Sequence, residues 1–296
     1  MKKELNLELS ESIKRLKIFT NQIVNTSFVG GYKSVFKGHG MEFEDYREYT
    51  PNDDASTIDW KASVRSKQLL VREFVEERNL NVFFLIDASS SMVYGSTDKL
   101  KMEYAGEIAA ALSYVVLSAG DSVGFALFND KIIKNMPPSH GMMQYHALIE
   151  TLVTPSYYGG KYDLNEALKF LLATLKQASV VMVISDFIWL KDNWERYIKM
   201  VAKKFDLIGI MIRDPRDMAL PEYGGQVVLE DPFSSKQILI RPGSISQAYK
   251  SYALRQENTV KETFLKAGSD FLELTTDQPF IKPLTNLFMK RARRLR

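Results

Sequence analysis

Three short oxygen-bearing side chains, Asp87, Ser89 and Ser91, alternate in a DxSxS pattern directly after the apolar run VFFLI. This spacing can turn a carboxylate and two hydroxyls toward one point. Hard cations bind oxygen ligands and Mg²⁺ keeps several waters, so two hydroxyls and carboxylates acting through water suit a magnesium site. The same residues also have a structural interpretation, in which they cap the following helix and satisfy its free amide groups.

A second acid, Asp186, follows another apolar run, SVVMVIS, and repeats the arrangement found at Asp87. Apolar runs with no polar face are typical of strands covered on both sides in a largely parallel sheet. Ligands of open α/β sheets bind beyond the carboxyl ends of the strands. The two carboxylates would then meet at one edge, where a cation is the simplest group to neutralise them. We expect their oxygens to face a shared hollow that solvent reaches.

The chain around these acids alternates predicted helices and strands, which favours an α/β fold with a doubly wound, mostly parallel sheet. The strand 121–128 is followed by a tight turn and a partner at 131–136, so the sheet gains an antiparallel edge. Two short strands, 226–229 and 236–240, predict a hairpin insertion near 215–242. Further strands are predicted at 205–213 and 270–275, and helices at 98–119, 144–153, 194–204, 247–266 and 281–296.

The amino-terminal part has a different pattern. Helical spacing predicts an amphipathic helix over residues 5–26, whereas glycines and short aromatic segments over 27–79 predict an extended arm with its best strand at 68–76. Residues 1–79 are therefore expected to form a helix and a β-rich arm, and 80–296 the α/β domain. Exposed ion pairs each add only about 0 to 1 kcal/mol, so we expect Phe43, Trp60 and Phe74 to anchor the arm.

Composition excludes several function classes. The 296 residues are 45% apolar, and 39 basic against 36 acidic residues leave a net charge of +3, which gives no indication of nucleic-acid binding. The absence of cysteine excludes a disulfide framework and a thiolate zinc site. The start, MKKELNLELSES, lacks the apolar core of a secretory signal, and the longest apolar stretch is shorter than the roughly 20 residues that cross a bilayer. We expect a soluble cytoplasmic protein without a membrane span.

The segment from Gly38 to Asn79 reads GHGMEFEDYREYTPNDDASTIDWKASVRSKQLLVREFVEERN. It resembles family 58 of the domains of unknown function, in which this segment precedes a von Willebrand factor type A-like domain. The resemblance implies a type A-like fold for the following residues. It also implies a partnership with a MoxR-type AAA ATPase, with the pair acting in assembly or maturation of other proteins.

Within that resemblance, the DxSxS loop is similar to the metal-ion-dependent adhesion site of type A domains. The likeness implies that Ser89 and Ser91 bind Mg²⁺ directly, while Asp87 and Asp186 hold its waters. In the loop GGKYDLNEAL, however, Tyr162 stands where the family pattern has a threonine. A phenol at the end of a rigid ring cannot replace a hydroxyl close to the backbone, which counts against a bound metal.

Without a metal, we expect one of the two acids to have a raised pKa or to pair with Lys161. Met92, Lys161 and Tyr162 border the predicted ligands, so they are the candidate partner-binding residues. Asp163 and Glu166, in contrast, have the spacing of a helix start.

The leading hypothesis is a non-enzymatic protein-interaction module whose DxSxS face, with or without magnesium, binds an acidic group on a partner. One alternative is a magnesium-dependent phosphohydrolase that uses Asp87 as nucleophile or metal ligand. Such haloacid-dehalogenase-like enzymes have a second aspartate two residues later, where this chain has Ser89. A metal-free structural scaffold is the third hypothesis, and Tyr162 is the residue that favours it.

Overall fold

The computed structural model describes residues 42–51, 53–75, 80–176, 179–220, 225–231, 233–234 and 236–294. The chain divides into two compact units, with a boundary between Asn79 and Leu80. The amphipathic helix predicted for residues 5–26 lies outside the described residues.

The smaller unit consists of strand β1, Glu42–Glu48, helix α1, Trp60–Ser66, and strand β2, Leu70–Val75. The two strands pair antiparallel, which confirms the strand predicted at 68–76. Asp59 begins the helix, since its carboxylate accepts the amides of Lys61 and Ala62 at 3.0 and 3.1 Å.

Trp60 is 63% exposed, so it is not part of the packed interior of this unit, and its role as an anchor of the arm stays a prediction. The ion pair between Arg47 and Asp53 is instead well formed, with both guanidinium amino groups 2.6 Å from the carboxylate oxygens. The side chains of Phe43 and Phe74 lie outside the described set. Within this unit, local polar contacts therefore fix the loop between β1 and α1.

The larger unit is built on a six-stranded sheet. The strands are β3 Asn81–Asp87, β4 Ser122–Phe128, β5 Ile132–Ser139, β6 Ser179–Ser185, β7 Asp206–Arg213 and β10 Asp270–Thr275. Their order across the sheet is β10-β7-β6-β3-β4-β5. They pair parallel except for β5, which lies antiparallel at one edge, as predicted.

Helices lie on both faces of this sheet. They are α2 Lys101–Ser118, α3 Met142–Leu152, α4 Leu164–Thr174, α5 Trp194–Lys204, α6 Pro215–Met218, α7 Pro242–Lys266 and α8 Ile281–Arg294. Phe83 and Leu85 of β3 share a buried cluster with Val181 and Val183 of β6 and with side chains of α4, α5 and α7. A strand alternates its side chains, so the equally buried Phe84 points to the opposite face, where α2 lies against β3 and β4.

Most predicted elements of this unit are confirmed, but three helices begin elsewhere, among them α3, which begins at Met142 instead of residue 144. Helix α2 begins at Lys101 instead of residue 98, because the backbone amide of Leu100 is bound by the Glu103 side chain at 2.9 Å. Helix α7 begins five residues before the predicted start, at Pro242, whose fixed φ suits a first helical position. The predicted hairpin is present as β8, Val227–Glu230, paired antiparallel with β9, Gln237–Ile240.

Candidate functional site

Asp87 and Asp186 lie at the point where the strand order of the sheet reverses. The first strand of the sheet, β3, has β4 on one side and β6 on the other. Chain order runs outward from β3 in both directions, which makes the gap between β3 and β6 the topological switch point of a doubly wound sheet. Asp87 ends β3, and Asp186 directly follows β6. The two strands thus deliver the two acids to the position predicted for them.

Asp87 is fully buried and bound by two donors. The backbone amide of Ser89 donates to Asp87 Oδ1 at 2.8 Å, and the Ser185 hydroxyl donates to Asp87 Oδ2 at 2.7 Å. Burial and the neighbouring Asp186 carboxylate raise the pKa of Asp87 from 3.8 to about 7, although both hydrogen bonds act to lower it. Asp87 is therefore the member of the acid pair with the raised pKa.

The two serines of the DxSxS pattern are also buried and lie close together. The Ser89 and Ser91 hydroxyl oxygens are 3.2 Å apart. The loop that carries them pairs with the loop before α4, since the Ser90 amide donates to the Gly160 carbonyl at 3.1 Å and the Gly159 amide donates to the Ala88 carbonyl at 2.8 Å. This pairing brings the two predicted ligand loops together.

Tyr162 lies in the hydrophobic core beneath this loop pairing. Its ring packs against Phe128 with centroids 5.9 Å apart, and its hydroxyl lies 3.2 Å from the Ser185 hydroxyl. Burial and the nearby Asp87 raise the pKa of Tyr162 well above its usual value, so the phenol stays neutral. The residue at the threonine position is thus a core side chain with one polar contact.

Of the candidate partner-binding residues, only Lys161 has an exposed side chain. Met92 and Tyr162 are buried and present no surface to a partner, which corrects their assignment. The physical reason is that both side chains are large and largely apolar, so their burial is favourable. Asp163 accepts the Glu166 amide at 3.3 Å and begins α4, which confirms its role as a helix start.

The cation of this site is Lys101, the first residue of α2, which is 1% exposed. Its ammonium nitrogen lies 2.7 Å from Asp186 Oδ2 and 2.8 Å from Asp217 Oδ2. Burial alone would lower the pKa of Lys101, but Asp186 and Asp217 outweigh burial and raise it above its usual value. The lysine therefore stays charged, and the predicted pairing with Lys161 is replaced by a pairing with Lys101.

Asp186 is the ionised member of the acid pair. Burial alone would raise its pKa, but Lys101 and Arg213 beside it outweigh burial and hold the pKa below its usual value. Its second oxygen accepts the backbone amide of Ile188 at 3.0 Å. Arg213 is itself buried and donates to the side-chain oxygen of Gln256.

The predicted hollow is closed. Asp87, Ser89, Ser91 and Asp186 are all buried, so the expectation that solvent reaches their oxygens is wrong for this structure. The loops that carry these residues pair with each other, and the Lys101 ammonium lies against Asp186. Magnesium binding by these four residues stays a prediction.

The arrangement of the residues does not fit a divalent cation as it stands. Within the part of the chain that the structure describes, none of the side-chain oxygens of Asp87, Ser89, Ser91 and Asp186 is buried without a hydrogen-bond partner. No group of three or more acidic or histidine side chains among those described residues is arranged to hold a metal. Asp186 is already neutralised by an ammonium at hydrogen-bond distance.

Sequence reasoning missed Lys101, Ser185 and Asp217. A signal for Lys101 was present, because it lies on the helical face of Tyr104, Ile108 and Leu112, which is apolar and buried. A lysine on a buried helix face needs an acidic partner. Asp217 comes from α6 after β7, and nothing in its local sequence distinguishes it from a helix-start residue.

The sheet order and the two acids at its switch point define a doubly wound α/β domain. The chain belongs to the family described as protein of unknown function DUF58, whose profile matches residues 45–259.

Two proteins of similar sequence are both described as uncharacterised. An uncharacterised protein of Mycobacterium tuberculosis is 26% identical over 292 residues, which cover 97% of this chain and 90% of that protein. The uncharacterised protein YeaD of Bacillus subtilis is 31% identical over 98 residues, 33% of this chain and 23% of that protein.

Two solved structures of low sequence identity match most of this chain. The conserved hypothetical protein BatB from Bacteroides thetaiotaomicron is 15% identical, with a TM-score of 0.49 over 73% of this chain and 100% of that chain. A von Willebrand factor type A protein from Catenulispora acidiphila is 12% identical, with a TM-score of 0.43 over 73% of this chain and 43% of that chain. Across the described parts of the present chain, no helix has both the length and the apolar character needed to span a bilayer.

Proposed function

We propose that this protein is a non-catalytic protein-interaction module, and that the loops at the carboxyl edge of its sheet contact the partner. The buried ion network around Lys101 holds these loops in position. The observation that carries the proposal is Trp189, whose side chain is 59% exposed three residues after Asp186.

The backbone around Trp189 supports this role. Phe187 and Trp189 both have positive φ, 51° and 66°, a conformation that bulky residues rarely adopt. The Phe187 side chain is buried in the core, whereas the Trp189 side chain is exposed. The Trp189 ring contacts the Phe233 ring edge-on, with ring centroids 5.6 Å apart. Strained backbone of this kind persists where the surrounding structure enforces it, often at binding sites.

Exposed apolar side chains on the neighbouring loop extend the surface. Val93 and Tyr94, in the loop after β3, are each 44% exposed. This loop and the loop that carries Trp189 both follow strands that end at the carboxyl edge of the sheet. Tryptophan and tyrosine supply much of the binding energy at protein interfaces, because they bury large areas and lose few rotamers.

The chemistry of the site favours binding over catalysis. Asp87, the nucleophile of the hydrolase alternative, is fully buried and accepts hydrogen bonds from Ser89 and Ser185. A nucleophile must approach its substrate within about 3 to 3.5 Å, which these enclosing groups prevent. We assign the acids a structural role beneath the binding surface.

The proposed partner is a MoxR-type AAA ATPase, with a client protein that the pair assembles or matures. The resemblance of residues 38–79 to family 58, now matched over 45–259, supports this part of the proposal. The cytoplasm is the proposed location.

The test is a binding titration of a MoxR-type ATPase from the same organism against wild type, Trp189→Ala and Met143→Ala. Met143 is a matched control, because its side chain is 86% exposed. It lies at the start of α3, just after β5. Strand β5 ends beside the amino-terminal part of β4, which is the side of the sheet opposite the proposed binding loops. Loss of a central aromatic anchor costs about 2 kcal/mol or more, so Trp189→Ala should bind about 30-fold more weakly. Met143→Ala should bind like wild type.

Two results would count against the proposal. If wild type does not bind the ATPase at micromolar concentrations, the proposed partner is wrong. If wild type binds and Trp189→Ala binds equally well, the ATPase contacts another surface.

A further inference from the structure

We propose that the ammonium group of Lys101 is the resident cation of the DxSxS site, so that the site is complete without a divalent metal. The side chain is an internal, covalently held counterion for the carboxylates at the switch point. This inference concerns the site itself and does not depend on the identity of the partner.

The contacts of Lys101 are those of a buried counterion. Its nitrogen lies within 2.8 Å of carboxylate oxygens from two different segments, Asp186 in the loop after β6 and Asp217 in helix α6 after β7. The Tyr94 ring, from the loop after β3, has its centroid 5.9 Å from the same nitrogen. One ammonium therefore connects three segments at the carboxyl edge, as a metal ion would.

The acidic partners are fixed independently of the lysine. Asp186 Oδ1 accepts the amide of Ile188, and Asp217 Oδ2 accepts the amide of Asp214 at 3.0 Å. Asp214 in turn accepts the Ser96 amide at 2.6 Å. The carboxylates thus form a preorganised pocket into which the ammonium fits.

A second cation beside Lys101 would be unfavourable. Asp186 is fully buried and already holds the Lys101 ammonium at 2.7 Å, and Asp217 shares that ammonium at 2.8 Å. A divalent ion bound to Asp87, Ser89 and Ser91 would stand beside a fixed ammonium in a poorly solvated region, where like charges repel strongly. The Tyr162 ring also fills the position from which the family pattern supplies a threonine hydroxyl.

The position of Lys101 in its helix also supports its role as a counterion. It is the first residue of α2, at the positive end of the helix dipole, where cations are unfavourable. It also lies on the buried face of that helix. A lysine that is unfavourable for both reasons is retained only where its carboxylate partners compensate, which identifies the ion network as its role.

The test is a set of thermal unfolding measurements on the full chain in chelator, in 5 mM Mg²⁺ and in 1 mM Mn²⁺. The variants are wild type, Lys101→Ala and Lys266→Ala, the last a control that removes an exposed lysine paired with Glu262. Wild type and Lys266→Ala should melt at the same temperature in all three buffers. Lys101→Ala should melt about 10 °C lower in chelator, and Mg²⁺ or Mn²⁺ should restore part of that loss, because the vacated space admits a hydrated cation.

A wild-type melting temperature that rises with Mg²⁺ and falls with chelator would overturn the proposal, as would a Lys101→Ala variant as stable as wild type. Should Lys101→Ala fail to fold, the double variant Lys101→Ala with Asp186→Asn removes the unpaired carboxylate together with the ammonium. The proposal predicts that this double variant folds and is more stable than Lys101→Ala. A double variant that also fails to fold would contradict it.

Discussion

The amino edge of the central sheet is the side where its parallel strands begin, and the carboxyl edge is the side where they end. Both carry basic residues bound to aspartates, but in different surroundings. At the amino edge, Arg291 of α8 contacts Asp206 and Asp270, the first residues of β7 and β10, and Arg294 adds a second contact to Asp270. At the carboxyl edge, Lys101 contacts Asp186 and Asp217. Arg291 and Asp270 are buried, but Asp206 is about half exposed, with 47% of its side chain accessible, whereas Asp186 is fully buried.

This difference in the exposure of the aspartates indicates what each cluster does. Asp206 keeps part of its hydration and Asp270 keeps its contact with Arg294, so removal of Arg291 leaves less uncompensated charge at the amino edge. A buried aspartate has no water to replace its counterion, so removal of Lys101 leaves an uncompensated charge. The carboxyl-edge cluster is thus the one that determines whether the candidate site keeps its shape.

The largest expected effect is the loss of stability in Lys101→Met. The change keeps the length of the side chain and removes its charge, which leaves Asp186 and Asp217 without their shared counterion. We expect the free energy of unfolding, measured with urea, to fall by about 4 kcal/mol. A loss below about 1 kcal/mol would place Lys101 in the same class as an exposed ion pair and remove the distinction between the edges.

The next effect concerns pH and uses Asp87→Asn. The pKa of Asp87 is raised from 3.8 to about 7 on folding by burial and by Asp186, so between these values the folded protein holds a proton that the unfolded chain releases. Wild-type stability should therefore fall as pH rises from about 4 to 7, and Asp87→Asn should lack this fall. The stability difference between the two proteins should change by about 3 kcal/mol across that window, measured by urea unfolding at each pH.

Asp186 does not contribute in the same window. Burial opposes its ionisation, but Lys101 and Arg213 lower its pKa below the usual value, so its contribution is lost only below about pH 4. Parallel stability curves for wild type and Asp87→Asn between pH 4 and 7 would mean that Asp87 is ionised throughout, and would contradict the assignment of the acid pair.

Arg291→Met tests the amino edge with the same type of change. Arg294 remains to pair with Asp270, and Asp206 stays partly hydrated, so we expect a loss of about 2 kcal/mol, smaller than that of Lys101→Met. The measurement is urea unfolding at low and high salt. Salt should reduce the difference between Arg291→Met and wild type, because the half-exposed Asp206 carboxylate is screened, and should leave the Lys101→Met difference largely unchanged. Equal salt dependence at both edges would refute the contrast in burial.

The smallest expected effect is that of Tyr162→Phe. The hydroxyl makes one contact, 3.2 Å from Ser185, while the ring packs in the core. We expect a loss of about 1 kcal/mol in the free energy of unfolding and no change in metal binding. A gain of Mg²⁺ binding on removal of the hydroxyl would show that the phenol, and not Lys101, blocks the site.

The sequence predicted the sheet and the location of the site because both depend on local patterns. The unbroken apolar runs before Asp87 and Asp186 indicate buried parallel strands, and the switch point follows from strand order. The identity of the cation did not follow in the same way. Lys101 reaches Asp186 across 85 positions of sequence, and only the packing of α2 on the sheet brings them together.

Exposure was the property that sequence predicted least well. Tyr162 and Met92 were expected at a surface and are buried, whereas Trp60 was expected to be buried and is exposed. Each is an apolar residue in a loop or at a helix start, where no periodic pattern distinguishes the two faces. The direction of such side chains is set by contacts between loops, as with the pairing of Ala88 and Ser90 with Gly159 and Gly160.

The most direct measurement is a calorimetric titration of the chelator-treated wild-type protein with Mn²⁺ at millimolar concentrations, in parallel with Ser89→Ala. If Lys101 is the resident cation, neither protein shows saturable binding at the DxSxS site. Saturable binding to wild type that is lost in Ser89→Ala would contradict the account, because it would show that a metal displaces or coexists with the Lys101 ammonium.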